Sequence, residues 1–273
     1  MAKRRRQRWY ENEGVPKDPR LWLYGPVPTG FWHEREQRRN YVAWLGEQLG
    51  FTKLEDWYRV TGHDFHRHRG GGLLGRYNNS PSTLLKEVMP DYAWQEWLFR
   101  SAPQRFWHDR ANRRRYLDWL GAQLGFQCPE DWYRLSHEAL ITHAGRGLLL
   151  STRFSLLSLL KEYLPDYDWL EWRFPSVPDG FWRTRVNRHR YLDWLGRQLG
   201  FTEPEDWYQL STPHLMQHAG NRLLQKFNSV PVVILKDYRP DYPWQEWRFA
   251  QMANGFWEKR TNRRRYVEWL ESV

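Results

Sequence analysis

Disulfides, cysteine-based metal sites and membrane spans are excluded by what this sequence lacks. Its 273 residues contain one cysteine, Cys128, so neither an intramolecular disulfide nor a cysteine-based zinc site can form. No apolar run reaches the roughly 18 residues of a membrane-spanning helix, and the N-terminus has no apolar signal core. We therefore expect an intracellular protein, of the nucleus or an organelle, with no membrane partner.

Positive charge and tryptophan are abundant instead. The formal net charge is +10 and the pI is about 9.7, and a basic surface attracts polyanions such as nucleic acid. The 19 tryptophans argue against disorder despite a mean hydropathy of −0.89, because disordered chains lack aromatic side chains. The cluster KRRRQR at residues 3–8 fits a nuclear address, an organelle-targeting start, a phosphate-binding arm or a solvated tail.

The tryptophans recur with a period of 75 residues. One class comprises Trp32, Trp107, Trp182 and Trp257, and four further classes begin at Trp22, Trp44, Trp57 and Trp94, which leaves only Trp9 out of register. Such a period predicts a tandem repeat array whose partial terminal units cover its ends. The predicted divisions are a basic arm (1–19), a partial tail (20–30), repeats 1 to 3 (31–105, 106–180 and 181–255) and a partial repeat (256–273).

Each repeat is predicted to be helical throughout, which makes the fold class an all-α array of four to five short helices per unit. The first segment, 31–51 in repeat 1, predicts a helix of about five turns, with Tyr41 and Leu45 on one face and Arg35 and Arg39 on the other. Glycines at the left-handed C-cap position are expected to end this helix, and they are Gly50, Gly125 and Gly200.

Further short helices are expected along the rest of the unit. A third helix is predicted to begin after Thr61, Ser136 or Ser211 and to stop at Gly70, Gly145 or Gly220. Two more flank a turn at Ser80 or Ser155. The closing DYxWxEWxF segment predicts an extended strap whose two tryptophans pack back on the same unit.

The pattern resembles a tryptophan-rich tandem repeat found in algal, protist and fungal proteins. The residues that carry this resemblance are FW-(x)8-YLDWLGxQLGF, EDWYR(L/V)(S/T), GxGLLxxY and LLKxxxPDYxWxxWxF, and they cover nearly the whole chain from Trp22 onward. The resemblance implies a modular helical repeat and supplies no catalytic residue. Repeat 2 departs from it at residues 151–153, and repeat 3 has Val230 where the other repeats have serine.

Basic residues recur in register and are the candidate nucleic-acid contacts. Stacked repeats would place them at regular intervals, as a phosphate backbone requires. A solvated helix face, or internal pairing with acids, is the alternative. The candidates are Arg35, Arg38, Arg39, Arg110, Arg113, Arg114, Arg115, Arg185, Arg188, Arg190, Arg260, Arg263, Arg264, Arg265, Lys86, Lys161 and Lys236.

Other recurring residues have plainer interpretations. Most tryptophans are expected in the core rather than stacked on bases, with Trp97, Trp172 and Trp247 the least secure. The lysines lie on the second helix of a hairpin that could also be a helix-turn-helix. His68, His143 and His218 are expected to meet exposed carbonyls at a helix end rather than a metal. Glu55 and Asp56 are expected to be first-turn helix acids.

The predicted function is therefore the binding of DNA or RNA through the backbone. The loops at 70–79, 145–154 and 220–228 are the candidate reading elements, since they vary between otherwise regular copies. We expect a monomer without enzymatic activity, cofactor or metal. The alternative is a structural or protein-interaction scaffold, for example an accessory subunit of an organellar ribosome or another ribonucleoprotein.

Overall fold

The computed structural model describes residues 20–151, 155–175, 177 and 179–272, and within these ranges every regular element is a helix. The predicted basic arm at 1–19 lies outside the described residues. In chain order the α-helices are α1 (Arg35–Gln48), α2 (Gly62–Arg67), α3 (Gly71–Gly75), α4 (Pro81–Val88), α5 (Arg110–Leu124), α6 (His137–Thr142), α7 (Arg146–Ser151), α8 (Leu156–Tyr163), α9 (Arg185–Leu199), α10 (Thr212–Gln217), α11 (Asn221–Lys226), α12 (Pro231–Tyr238) and α13 (Arg260–Leu270).

Short 3-10 helices alternate with these α-helices. Three-residue turns precede the first helix of each repeat, six-residue turns follow it, and further three-residue turns lie in the straps. They are Leu21–Leu23, Phe31–His33, Leu54–Arg59, Glu96–Leu98, Phe106–His108, Pro129–Arg134, Glu171–Arg173, Phe181–Arg183, Pro204–Gln209, Glu246–Arg248 and Phe256–Glu258. The all-helical repeat architecture predicted from the sequence is confirmed.

The first helix of each repeat is shorter than predicted at its N-terminal end. The Phe-Trp pair forms a 3-10 turn, and the residue after it, Glu34 in repeat 1, has extended backbone, so α1 begins only at Arg35. At the other end, Gly125 and Gly200 adopt φ of 68° and 71° and cap α5 and α9, while Gly50 has φ of 68° one residue beyond the cap of α1. A left-handed residue costs little at glycine, which has no Cβ. The predicted left-handed glycines are confirmed.

The helices predicted to follow Thr61, Ser136 and Ser211 are α2, α6 and α10, and they begin where predicted but end differently. Thr61 and Ser136 accept hydrogen bonds from the backbone N–H groups of Asp64 and Ala139, as N-caps do. The left-handed residue at the end is the one before the glycine, namely Arg69, Ala144 or Ala219, with φ of 61–64°. The glycine is required for another reason: a Cβ at Gly70 would lie 2.1 Å from the Tyr41 hydroxyl oxygen.

The two strap tryptophans pack in different places. Trp94 contacts Tyr58 and Phe99 of its own repeat. Trp97, by contrast, packs against Tyr116 and Trp119 on the first helix of the next repeat, with ring centroids 5.6 Å apart in both cases. The prediction that both tryptophans pack on their own repeat is therefore wrong for the second one. Since Trp97 and Trp172 are 5% and 1% exposed, the core interpretation is confirmed for these two.

The chain divides into two compact units, each with its own aromatic core. One comprises Met1–Cys128 and Leu135–Leu164, and the other comprises Pro129–Arg134 and Pro165–Val273. These limits do not coincide with the predicted repeat boundaries, which stay predictions. One cause lies within the second unit, where Tyr133 packs against Trp169 and Phe174 and so joins the Pro129–Arg134 turn to a strap.

Candidate nucleic-acid interface

One arginine on each first helix points into its own repeat. Arg113 donates from Nε and Nη2 to the two carboxylate oxygens of Glu162 on α8, both at 2.8 Å, and from Nη1 to the carbonyl of Trp107. Arg188 makes the same two bonds to Asp237, and Arg38 donates from Nη2 to one oxygen of Glu87; each acid lies 49 residues further along the chain. A bidentate guanidinium has few donors left for phosphate.

The expected outward orientation is therefore absent at this position in the complete repeats. Arg38 and Arg188 are only 9% and 7% exposed. Helix periodicity did not reveal this, because the acid belongs to a distant helix. Arg263, in the partial repeat, is exposed but donates to the carbonyls of Trp257 and Glu258.

A second arginine of the first helix neutralises a buried carboxylate. Glu96 is 2% exposed and accepts hydrogen bonds from Arg115 at 3.0 Å and from Lys86 at 2.6 Å. Glu246 accepts equivalent bonds from Arg265 and Lys236, and Glu171 accepts one from Arg190. Lys161 occupies the equivalent place on α8.

The start of the chain shows what happens to the arginine where the buried acid is absent. At the N-terminal end Leu21 occupies the position of Glu96, and Asn40 occupies the position of Arg115, each exactly one period earlier. The acid and the base are lost together. Their coupled loss indicates that Arg115, Arg190 and Arg265 serve the buried carboxylate, so we assign these three, with Lys86 and Lys236, to the fold.

Other basic side chains, all exposed except the half-buried His189, lie in pairs on each first helix, and we call these the outer pairs. Their members lie four residues apart, which places them on one helix face. The outer pairs are Arg35 with Arg39, Arg110 with Arg114, Arg185 with His189, and Arg260 with Arg264.

The outer pairs are bound less firmly than the inward arginines. Arg110 and Arg185 each donate to one backbone carbonyl, and Arg264 pairs with exposed Glu268. Within the described part of the chain, no salt bridge involves Arg35, Arg39, Arg110, Arg114 or Arg185.

Two equivalent grooves add basic residues that the sequence interpretation missed. The grooves lie at the joints preceding α1 and α5, have volumes of about 410 and 750 Å³, and we call them the joint grooves. Arg69, Arg76 and His33 line the first, and Arg100, Arg105 and Arg146 are among the residues lining the second. Each also has an indole, Trp32 or Trp107, and neither has an aspartate or glutamate among its described lining residues.

Two of these groove arginines could have been found from the sequence. Arg76 and Arg146 lie in the loops predicted to be reading elements, at 70–79 and 145–154. Arg100 and Arg105 carried no such signal, because they flank a proline joint and do not recur in the other repeats.

Comparisons with protein-family models, curated proteins and solved structures find no match for this chain. The arrangement of its own side chains is therefore the basis for any functional argument. Of the helices described, none combines the length and the apolar character that crossing a membrane requires.

The recurring histidines and acids have structural partners. His68, His143 and His218 each place Nδ1 within 2.7–2.8 Å of the carbonyl four residues earlier, which confirms the helix-end interpretation. Asp56 accepts hydrogen bonds from the backbone N–H groups of Thr52 and Lys53, which confirms its place in a first turn. Among the described residues, no group of three or more potential ligands is placed to hold a metal.

We expect the protein to lose stability in acid as its paired carboxylates are protonated. Burial opposes ionisation of Glu96 and Glu246, but hydrogen bonds from lysine and arginine outweigh it and hold both pKa values below the ordinary 4.5. A carboxylate whose pKa is lower in the folded state than in the unfolded state stabilises the fold. This stabilisation is complete above about pH 4.5 and is lost as the pH falls through the pKa of the folded state. Urea midpoints measured from neutral pH down to about pH 3 test this, and an unchanged midpoint would contradict it.

Proposed function

We propose that the protein binds DNA or RNA through the phosphate backbone, using the exposed arginines of the outer pairs. The observation that carries the proposal is that the outer-pair arginines of the three complete repeats are exposed and form no salt bridge with any described carboxylate. A guanidinium in that state can exchange its hydration water for phosphate oxygens without breaking an internal ion pair.

The joint grooves support the same proposal. A carboxylate beside a cation attracts it and repels phosphate, whereas the described linings of both grooves contain arginine but no acid. The indole edges of Trp32 and Trp107 in the linings are compatible with contact to sugar or base. The proposed contacts exclude the arginines that are bound to internal carboxylates, namely Arg38, Arg113, Arg115, Arg188, Arg190 and Arg265.

Replacing the outer pair of repeat 2 is expected to weaken binding and to reduce its salt dependence. Each phosphate contact contributes about 0.9 to the slope of log K against log salt, so Arg110→Gln/Arg114→Gln should lower that slope by about 2. Binding to labelled single- and double-stranded DNA and RNA, measured by anisotropy between about 50 and 200 mM salt, gives the slope.

A variant of equal charge separates local contact from general attraction. Arg59→Gln/Arg134→Gln also removes two exposed arginines, each at the end of a 3-10 turn and next to an aspartate. We expect this variant to bind nearly as the parent does. If both variants bind equally, or if no nucleic acid binds at the lower salt concentration, the proposal is wrong and a protein-binding scaffold becomes the better interpretation.

A further inference from the structure

Repeat 1 contains a cavity at a place where repeats 2 and 3 have a tyrosine. The cavity has a volume of about 590 Å³, within the range of small-ligand pockets. Its apolar lining includes Phe51, Trp57, Met89 and Tyr92, and Val42 of α1 contributes to it. Three charged residues, Arg39, Glu47 and Asp91, also line it.

A tyrosine occupies the equivalent position in the other two repeats. The Tyr163 hydroxyl donates to Asp118 at 2.7 Å, and the Arg114 guanidinium lies 5.8 Å from the Tyr163 ring centroid. In repeat 3, the ring of Tyr238 lies 5.2 Å from those of Trp207 and His189, and its hydroxyl donates to Asp193.

Repeat 1 has lost both members of this tyrosine–aspartate pair. Val88 replaces the tyrosine and Ala43 replaces the aspartate, each exactly in register. The surrounding residues are retained, since Trp57 corresponds to Trp207 and Arg39 corresponds to Arg114. All four of these repeat 1 positions line the cavity. The cavity is therefore the place of an aromatic ring whose indole and guanidinium neighbours are still present.

We propose that this cavity binds one unstacked base of a single-stranded nucleic acid, an inference that rests on the proposed function. A planar ring in the cavity would meet Trp57, the counterpart of the Trp207 indole beside Tyr238, and Arg39, the counterpart of the Arg114 guanidinium beside Tyr163. Arg39 belongs to an outer pair, so the phosphate of the inserted nucleotide meets Arg35 and Arg39 as it leaves the cavity. Glu47 and Asp91 disfavour an aromatic acid inside and can accept hydrogen bonds from base amino groups.

The chain supplies the substitution that fills the cavity. Ala43→Asp/Val88→Tyr gives repeat 1 the pair found in repeats 2 and 3, so the variant is expected to fold. Ala43→Asp alone is the matched control, because it adds the same negative charge beside Arg39 and leaves the ring position empty. A folded double variant is recognised by an unchanged far-UV circular dichroism spectrum and a thermal midpoint no lower than that of the control.

Methionine methyl resonances report on occupancy in the full-length protein. Met89 lines the cavity, whereas Met216 and Met252 do not and serve as internal references. The probes are a single-stranded oligoadenylate, a duplex of the same length and p-cresol, which is the tyrosine side chain as a free molecule. We expect oligoadenylate to shift the Met89 resonance in the parent and in Ala43→Asp but not in Ala43→Asp/Val88→Tyr.

Affinity is expected to follow occupancy. Stacking of one base corresponds to about a tenfold change in affinity, so the double variant should bind oligoadenylate about tenfold more weakly than its control while duplex affinity stays the same. If oligoadenylate binds without shifting Met89, the cavity assignment fails and the proposed function stands. If p-cresol alone shifts Met89, the cavity accepts a ring but not a base, and the assignment also fails. If neither oligonucleotide binds at low salt, the proposed function fails as well.

Discussion

Glu96→Leu is expected to lower the free energy of unfolding by about 3 kcal/mol. The Glu96 carboxylate lies in the strap, is almost fully buried and accepts hydrogen bonds from Lys86 and Arg115. Its removal takes the carboxylate acceptor from the Arg115 guanidinium, which lies 5.5 Å from the Trp97 ring centroid and keeps its bond to the Trp94 carbonyl. The two charge-assisted hydrogen bonds to this carboxylate are lost together, at about 1.5 kcal/mol each.

A second substitution should restore much of the loss. Glu96→Leu/Arg115→Asn installs the Leu21 and Asn40 combination that the chain already uses one period earlier. We expect the double variant to recover at least half of the lost stability, since Lys86, with a side chain 51% exposed, can turn into solvent. Urea midpoints of the parent and the three variants of the cycle give the coupling free energy.

Glu138 on α6 is exposed, so its replacement is a control for the loss of a carboxylate that is not buried. Glu138→Leu should change the free energy of unfolding by no more than about 0.5 kcal/mol. The structural role of the cluster is contradicted if Glu96→Leu is as mild as this, or if adding Arg115→Asn makes it worse.

The periodic features of the fold could be predicted from sequence because they depend on local chemistry. The left-handed glycine at Gly125 is recognisable from its place after an apolar helix, and the helix-end histidine at His143 from its place before a turn. Both interactions lie within a few residues along the chain. The same holds for the N-cap at Ser136.

Long-range pairing could not be predicted in this way. Arg113 and Arg114 are adjacent in sequence and both basic, yet one is bound to a carboxylate 49 residues away and the other is exposed. Helix periodicity gives the direction of a side chain relative to its own helix axis and says nothing of the next helix. The comparison of Arg115 with Asn40 was an available signal, because it shows which basic residue disappears together with an acid.

Gly145→Ala is expected to destabilise the first unit by about 2–3 kcal/mol, at the upper end of the cost of overpacking. An added Cβ would lie 2.3 Å from the Tyr116 hydroxyl oxygen and 2.9 Å from the Leu140 carbonyl oxygen. Tyr116 is fully buried and donates to the carbonyl of His143 at 3.0 Å, so the ring cannot move away without breaking that bond. The thermal midpoint is the direct measurement.

Two further variants distinguish this contact from the ordinary effect of replacing glycine in a helix. Gly75→Ala, at the end of α3, meets no atom within 4 Å and should raise stability by up to about 1 kcal/mol, because alanine favours the helix. Tyr116→Phe removes the clashing oxygen, so Gly145→Ala should cost less in the Tyr116→Phe background than in the parent. Equal costs in the two backgrounds would contradict the assigned contact. The same geometry recurs at Gly70 with Tyr41 and at Gly220 with Tyr191, which explains why a glycine follows the left-handed residue in all three complete repeats.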